Sequence, residues 1–323
     1  MTGLRRNWFL VGLVAAVGLA WVFPDAGARG GFLHTEITIR VAVALIFFSQ
    51  GLTLALDALR HGALHWRLHV LVQAWNFGLF PLVGLLLDRL AGGILPPDLR
   101  TGFLFLCVLP TTLSTAIVFT ALAGGNAAGA IFNATLSNLL GIAVTPLWTG
   151  WLMRAGGRTL PLVPVIFEIV LLLLVPLAAG QVLRPWLRRW VDPRKARLTN
   201  ANSAIVLFIV YAAFAQSVAA RVWERSGAQS VLLAAAGVTL LFAFVMAAVR
   251  LTIRAVRLEG GDTSAALFCA SQKTLAAGVP MAQLIFGAHP GLGLILLPVM
   301  LYHPLQLLVH GMIAVRWRGS QAL

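Results

Sequence analysis

Residues 268–280 read Phe-Cys-Ala-Ser-Gln-Lys-Thr-Leu-Ala-Ala-Gly-Val-Pro, a lysine in the middle of an otherwise apolar stretch that runs from Ala265 to Phe286. Lys273 is one of only two lysines among 24 basic residues, so a general abundance of lysine does not put it there. A charged side chain at the centre of a bilayer costs about 2.5–3.5 kcal/mol on insertion scales, and it therefore faces a polar interior rather than lipid. Ser271, Gln272 and Thr274 flank it, and Gly278 and Pro280 follow. Such a mixture interrupts a helix where a plain anchor would continue with Leu, Val and Ala. The stretch reads as a broken transmembrane helix with a functional site at its break.

The rest of the chain supplies the membrane. With 59% hydrophobic and 11% charged residues and a mean hydropathy of +0.90, its 323 residues exceed what a soluble domain buries around one core. Ten apolar segments lie near 8–23, 37–56, 68–87, 101–123, 127–152, 161–183, 202–218, 230–250, 264–286 and 291–315. The reading is an all-α polytopic protein of the cell membrane with ten transmembrane helices. The net charge of +14 sits in the short loops between these segments, where lipid headgroups and the insertion machinery read it, and no basic surface domain exists to bind nucleic acid. Placing both termini in the cytoplasm puts fifteen basic residues inside and eight outside, the asymmetry the positive-inside rule asks for.

Arg5, Arg6, the apolar run to Phe23 and Ala26-Gly27-Ala28 imitate a cleavable signal peptide. Removing that segment would spoil the pairing of spans, so it is expected to stay. Cys107 and Cys269 lie in apolar segments without metal-type spacing and read as free thiols. Most of the ten tryptophans fall at span ends, as interfacial anchors do.

Five spans before about residue 156 and five after it give two halves with an odd number of crossings, so a repeat between 1–155 and 156–323 must be inverted. The fourth span, LPTTLSTAIVFTALAGGN (109–126), carries Thr112, Ser114 and Thr115 at membrane depth, and the fifth carries Asn133, Ser137 and Asn138. The ninth carries Ser271 to Thr274, and the tenth Tyr302 and His303. Polar, Gly- and Pro-interrupted segments at corresponding places in two halves mark a transporter's binding site, because unwound backbone exposes carbonyls, amides and half-helix dipoles to a solute. Taken singly, each Ser or Thr is equally explained by a bond back to its own helix.

At these segments the chain resembles the bile acid:sodium symporter family, most closely its bacterial and vertebrate branch of unsettled substrate. The matching text is LIFFSQGLTL (45–54), GFLFLCVLPTTLSTAIVFTALAGGN (102–126), SNLLGI (137–142), FCASQKTLAAGVPMAQLIF (268–286) and LPVMLYHPLQL (297–307). The resemblance runs in order from about 36 to 315. It implies a single transmembrane domain of two inverted five-helix repeats, in which spans 4 and 9 cross as discontinuous helices. Panel helices would fall in about 8–56 and 161–218, and core helices in about 68–152 and 230–315. It also implies secondary active transport of a small organic anion, bile acid-like, sterol-like or another carboxylate or sulfate, by alternating access.

The resemblance fails at one place. Sodium-coupled members carry a Glu in the broken ninth helix and a Ser-Asn pair in the fourth. Here the stretches read LFCASQKT and Ser114-Thr115-Ala116, with no carboxylate after Asp262. A lysine ammonium could occupy the volume of a cation, bracing the crossing through carbonyls and hydroxyls of Thr115, Ser271 and Asn133, or could release a proton during transport. The coupling ion is left as sodium or proton; sodium, if bound, belongs near Thr115 and Ser271. The candidate solute and ion site is thus Ser271, Gln272, Lys273 and Thr274 with Thr112, Ser114, Thr115, Asn133 and Asn138. Gln73 and Asn76 of the third span and His303 of the tenth support it. Half-helix N-termini and Lys273 would attract the anion. No cofactor is expected.

Other signals weigh less. Glu168, inside the sixth span, is an alternative proton site. His61, His65 and His69 share a helix face but lack a carboxylate or thiol, so an interfacial cluster is favoured over a metal. His310 reads as a satisfied interior residue. No Ser-His, paired-Asp or HExxH arrangement lies at membrane depth, which argues against an enzyme. The competing class is a membrane regulator that keeps a transporter's fold without transporting.

Overall fold

The computed structural model describes residues 8–53, 64–155, 162–287 and 289–320, and every regular element among them is helical. Hydrocarbon offers no partners to a backbone, so segments that cross it must satisfy their own N–H and C=O groups, which helices do internally. The elements are α1 (Trp8–Val22), α2 (Thr35–Thr53), α3 (Trp66–Ala74), α4 (Phe80–Leu90), α5 (Pro97–Val108), α6 (Ser114–Leu122) and α7 (Ala127–Ala155). There follow α8 (Leu162–Val191), α9 (Lys195–Ala219), α10 (Val222–Val256), α11 (Gly261–Ser271), α12 (Leu275–Phe286) and α13 (Leu292–Ser320). A π-helical turn, Trp75–Leu79, joins α3 to α4 without interrupting the rod.

Among the described residues, six stretches are long and apolar enough to cross a membrane: Thr35–Thr53, Trp66–Leu90, Ala127–Leu152, Leu171–Ala219, Gly227–Val256 and Leu292–Arg318. Large apolar side chains are exposed along them; on α10 alone Leu232, Leu240, Phe244 and Leu251 are exposed, a surface suited to lipid. The chain is therefore a multi-pass, all-α membrane protein. Four helices are a different kind: α5, α6, α11 and α12 have 9 to 12 residues each. Each is about half the ~20 residues a complete crossing takes.

The chain divides into two compact units. The first comprises Met1–Leu54, Leu160–Gln229 and Ala276–Leu296. Within it α2 and α8 meet along glycines: a Cβ on Gly51 would stand 2.2 Å from the Leu177 carbonyl oxygen, and one on Gly180 would stand 2.3 Å from that of Phe48. Small residues allow this backbone approach where apolar burial gives no drive between helices. The amide of Gln181 seals it by donating to the Gly51 carbonyl at 2.6 Å. The Tyr211 hydroxyl of α9 ties back to Phe23 O at 2.7 Å. The second unit comprises Ala55–Thr159, Ser230–Leu275 and Leu297–Leu323 and contains both helix breaks.

Candidate functional site

The first break separates α5 from α6. Leu109 ends α5 in extended backbone, φ −70° and ψ 149°. Pro110 explains it, since the residue before a proline is pushed out of the helical region. The second break separates α11 from α12, with Gln272 extended at φ −84° and ψ 150°. Here the local breakers are not the cause: Gly278 and Pro280, expected to interrupt the helix, lie inside α12, and the interruption sits at 272–274. Tertiary hydrogen bonds hold this segment open. The two breaks touch, the Thr274 N–H donating to Pro110 O at 3.0 Å.

A neighbouring helix clamps each break in the same manner. On α7, the Thr145 hydroxyl caps Val108 O at 2.8 Å. Ser137 Oγ receives the Thr111 N–H at 3.2 Å, and Asn138 donates to Thr111 O at 3.0 Å. On α13, the Tyr302 hydroxyl caps Ser271 O at 2.7 Å. The Gln306 amide then receives the Lys273 N–H at 2.8 Å and donates to Lys273 O at 2.9 Å. Buried backbone groups without a helical partner cost about 1–3 kcal/mol each, so these side chains are what allow a helix to break at depth. Tyr302, Gln306 and His310 fall four residues apart and form one polar stripe on α13. His310 completes it through Gln272 Nε2 and Ser271 Oγ, each at 3.1 Å, walled in by the rings of Phe119, Phe242 and Phe268.

Lys273 is 0% exposed. Its Nζ donates to three main-chain carbonyls, Leu109 at 2.6 Å, Cys107 at 3.3 Å and Asn76 at 3.4 Å, and stands 4.0 Å from the centre of the Phe80 ring. Cys107 and Leu109 lie at the C-terminal end of α5, where unsatisfied carbonyls and the helix dipole favour a cation. The partners expected for it, Thr115, Ser271 and Asn133, are engaged elsewhere. Thr115 Oγ1 donates to Gln272 Oε1 at 2.8 Å, as Thr112 Oγ1 also does. Ser271 Oγ donates to Leu267 O, and Asn133 Nδ2 to Gly129 O with His69 Nδ1 beside it. Since every N–H of the ammonium meets a carbonyl, Lys273 braces the crossing from inside and offers no donor to a solute.

The remaining expected residues gather around this brace. Asn76, in the π-helical turn, donates to Ser137 Oγ and Cys269 O, both at 3.2 Å, tying three elements together. Gln73 donates to Asn133 O at 3.2 Å. Asn76 Oδ1, Thr111 Oγ1 and Gln73 Oε1 are buried acceptors without a hydrogen-bond partner. His303 is half-buried with Nδ1 3.0 Å from the Gln306 amide. Ser114 is exposed on the first turn of α6, the most accessible hydroxyl of the set.

His65 and His69 part company: His65 Nδ1 meets Asp262 Oδ2 at 2.7 Å, and His69 turns to Asn133. His61 lies outside the described residues, as does the side chain of Glu168. Among the described residues no three His, Cys, Asp or Glu side chains are grouped as a metal site. Gln306 is the residue of this polar cluster that sequence reasoning missed. Its signal was the Tyr302-Gln306-His310 spacing, which runs across Pro304.

Over residues 7–319 the chain matches the SBF-like CPA transporter family. It is 37% identical over 311 residues to the putative symporter YfeH of Escherichia coli (strain K12), covering 96% of this chain and 92% of that protein. It is 31% identical over 312 residues to the sodium/bile acid cotransporter 7 of Rattus norvegicus, covering 95% and 91%. To the protein of the same name in Danio rerio it is 33% identical over 313 residues, covering 95% and 92%.

Proposed function

The chain belongs to the SBF-like CPA transporter family, and from that premise we propose that it is a secondary transporter of an organic anion working by alternating access, with Lys273 as a built-in cation. The observation that carries this reading is the ammonium held by three carbonyls at the touching helix breaks. Sodium-coupled bile acid symporters, as the resemblance implies, place a Glu and bound sodium in this region. A lysine supplies the positive charge covalently and needs no counter-carboxylate.

The matching clamps on the two breaks support two inverted five-helix repeats, 1–155 and 156–323, and hence ten spans with broken helices 4 and 9. An odd number of crossings per half then puts both termini on one side, the cytoplasmic side by the distribution of basic residues. Solute recognition falls to the hydroxyls and amides at the N-terminal end of α6, Ser114, Thr115 and Thr112, where N–H groups favour an anion. Gln272, Thr274, Asn133, Asn138 and His303 shape the polar surroundings.

Purified protein in liposomes, given labelled organic anions including a bile acid under separately imposed sodium and proton gradients, tests this. Uptake driven by the proton or solute gradient and indifferent to sodium is expected. A requirement for sodium would remove Lys273 from the role of internal cation, and no uptake under any gradient would favour the regulator.

A further inference from the structure

We propose that a groove between α3 and the end of α10 binds one anionic phospholipid, its phosphate at Arg67 and Arg257 and an acyl chain along the apolar wall below. The cavity measures about 580 Å³ and lies within the second unit. Its rim carries the two exposed arginines, neither paired with a carboxylate among the described residues, and the Arg67 guanidinium lies 5.7 Å from the centre of the Trp66 ring. Trp66 is 64% exposed, the posture of an interfacial anchor. Basic pockets between transmembrane helices with an aromatic neighbour are the usual receptors for anionic headgroups.

Below the rim the lining turns apolar through Val70 to Leu79, both exposed along the span. From Trp66 to Leu79 the rod advances about 20 Å at 1.5 Å per residue, most of the length of an extended acyl chain. Charge at one end and a lipid-facing apolar trough at the other fit a membrane phospholipid rather than a soluble anion.

The inner wall of the groove leads to the crossing. Trp75 is 4% exposed, lines the cavity, and its Nε1 has no hydrogen-bond partner. Trp75 and Leu79 are also the ends of the π-helical turn. The groove and the crossing therefore share this turn, since Asn76 within it gives its carbonyl to Lys273. A lipid seated here buttresses the turn that holds the brace.

Native mass spectrometry of the delipidated full chain, titrated with phosphatidylglycerol or phosphatidylcholine of the same acyl chains, reads the site. One phosphatidylglycerol is expected to bind per chain in preference to phosphatidylcholine. Arg67→Gln with Arg257→Gln should weaken it about tenfold or more, as each basic side chain near anionic lipid contributes on the order of 1 kcal/mol. Ala74→Phe, at an exposed lining position, should block the trough while leaving the unfolding midpoint in detergent unchanged. Equal retention of both lipids, or undiminished phosphatidylglycerol binding in both variants, overturns the proposal. Competition by soluble glycerol 3-phosphate would make this a site for a free anion and overturn it likewise.

Discussion

On the proposed reading Lys273 stands in for a bound ion, its Nζ held by three main-chain carbonyls. Removing it leaves three buried carbonyls without a donor, each costing about 1–3 kcal/mol before relaxation. Lys273→Met is therefore expected to lower the unfolding midpoint in detergent and to abolish uptake. Lys273→Arg keeps the charge, but a planar fork cannot converge on three carbonyls as an ammonium does, so little uptake should return. Wild-type transport by the Met variant would remove the lysine from the mechanism. Gly141 is a second sensitive position, because a Cβ there would sit 2.7 Å from Pro110 Cγ and push α7 off the first break. Gly141→Ala should cost about 1–3 kcal/mol as an overpacked contact, whereas Gly78→Ala should stay within about 0.5 kcal/mol. Nothing lies within 4 Å of a Cβ at Gly78, so the pair isolates crowding from helix propensity in a single unfolding assay.

Among the elements, α7 and α13 act as clamps, each presenting a set of buried polar side chains to one break. Gln306→Leu removes both partners of the Lys273 peptide groups and should destabilise by about 2 kcal/mol or more, with loss of uptake. Tyr302→Phe removes one bond to Ser271 O and should cost about 1 kcal/mol while sparing transport. Uptake in both variants at the parental rate would mean that the clamps serve folding alone. This is also where sequence reading reached its limit. Pro110 and the hydroxyl-rich run after it announce the first break, since both are local. The second break was legible only as a place: Lys273, Gln272 and Ser271 marked it, but Gly278 and Pro280 drew attention downstream. What holds it open comes from α13, more than thirty residues away. The partners of Lys273 were illegible for a simpler reason. Carbonyls were among the expected partners, but every residue carries one, so no residue type betrays that those of Asn76, Cys107 and Leu109 are used.

For the whole molecule, the consequence of a covalent cation is thermodynamic. A transporter that binds sodium from solution is stabilised by it in proportion to occupancy, so its unfolding midpoint rises with sodium at constant ionic strength. A chain whose cation is part of its own backbone-bound network has no such linkage. Its unfolding midpoint should be the same in sodium chloride as in choline chloride. Lys273→Ala separates the two cases, because it deletes the ammonium and its stem while leaving the carbonyls of Asn76, Cys107 and Leu109 and the unpaired Asn76 Oδ1 around the space. Oxygens arranged to hold a positive charge are a receptor for a small cation once that charge is gone. Sodium, and not the bulkier choline, is therefore expected to restore part of the stability lost in the variant while leaving the parent unmoved. A parent that responds to sodium as strongly as the variant would show that the coupling ion binds somewhere other than beside Lys273, and that the lysine accompanies a sodium site instead of replacing one.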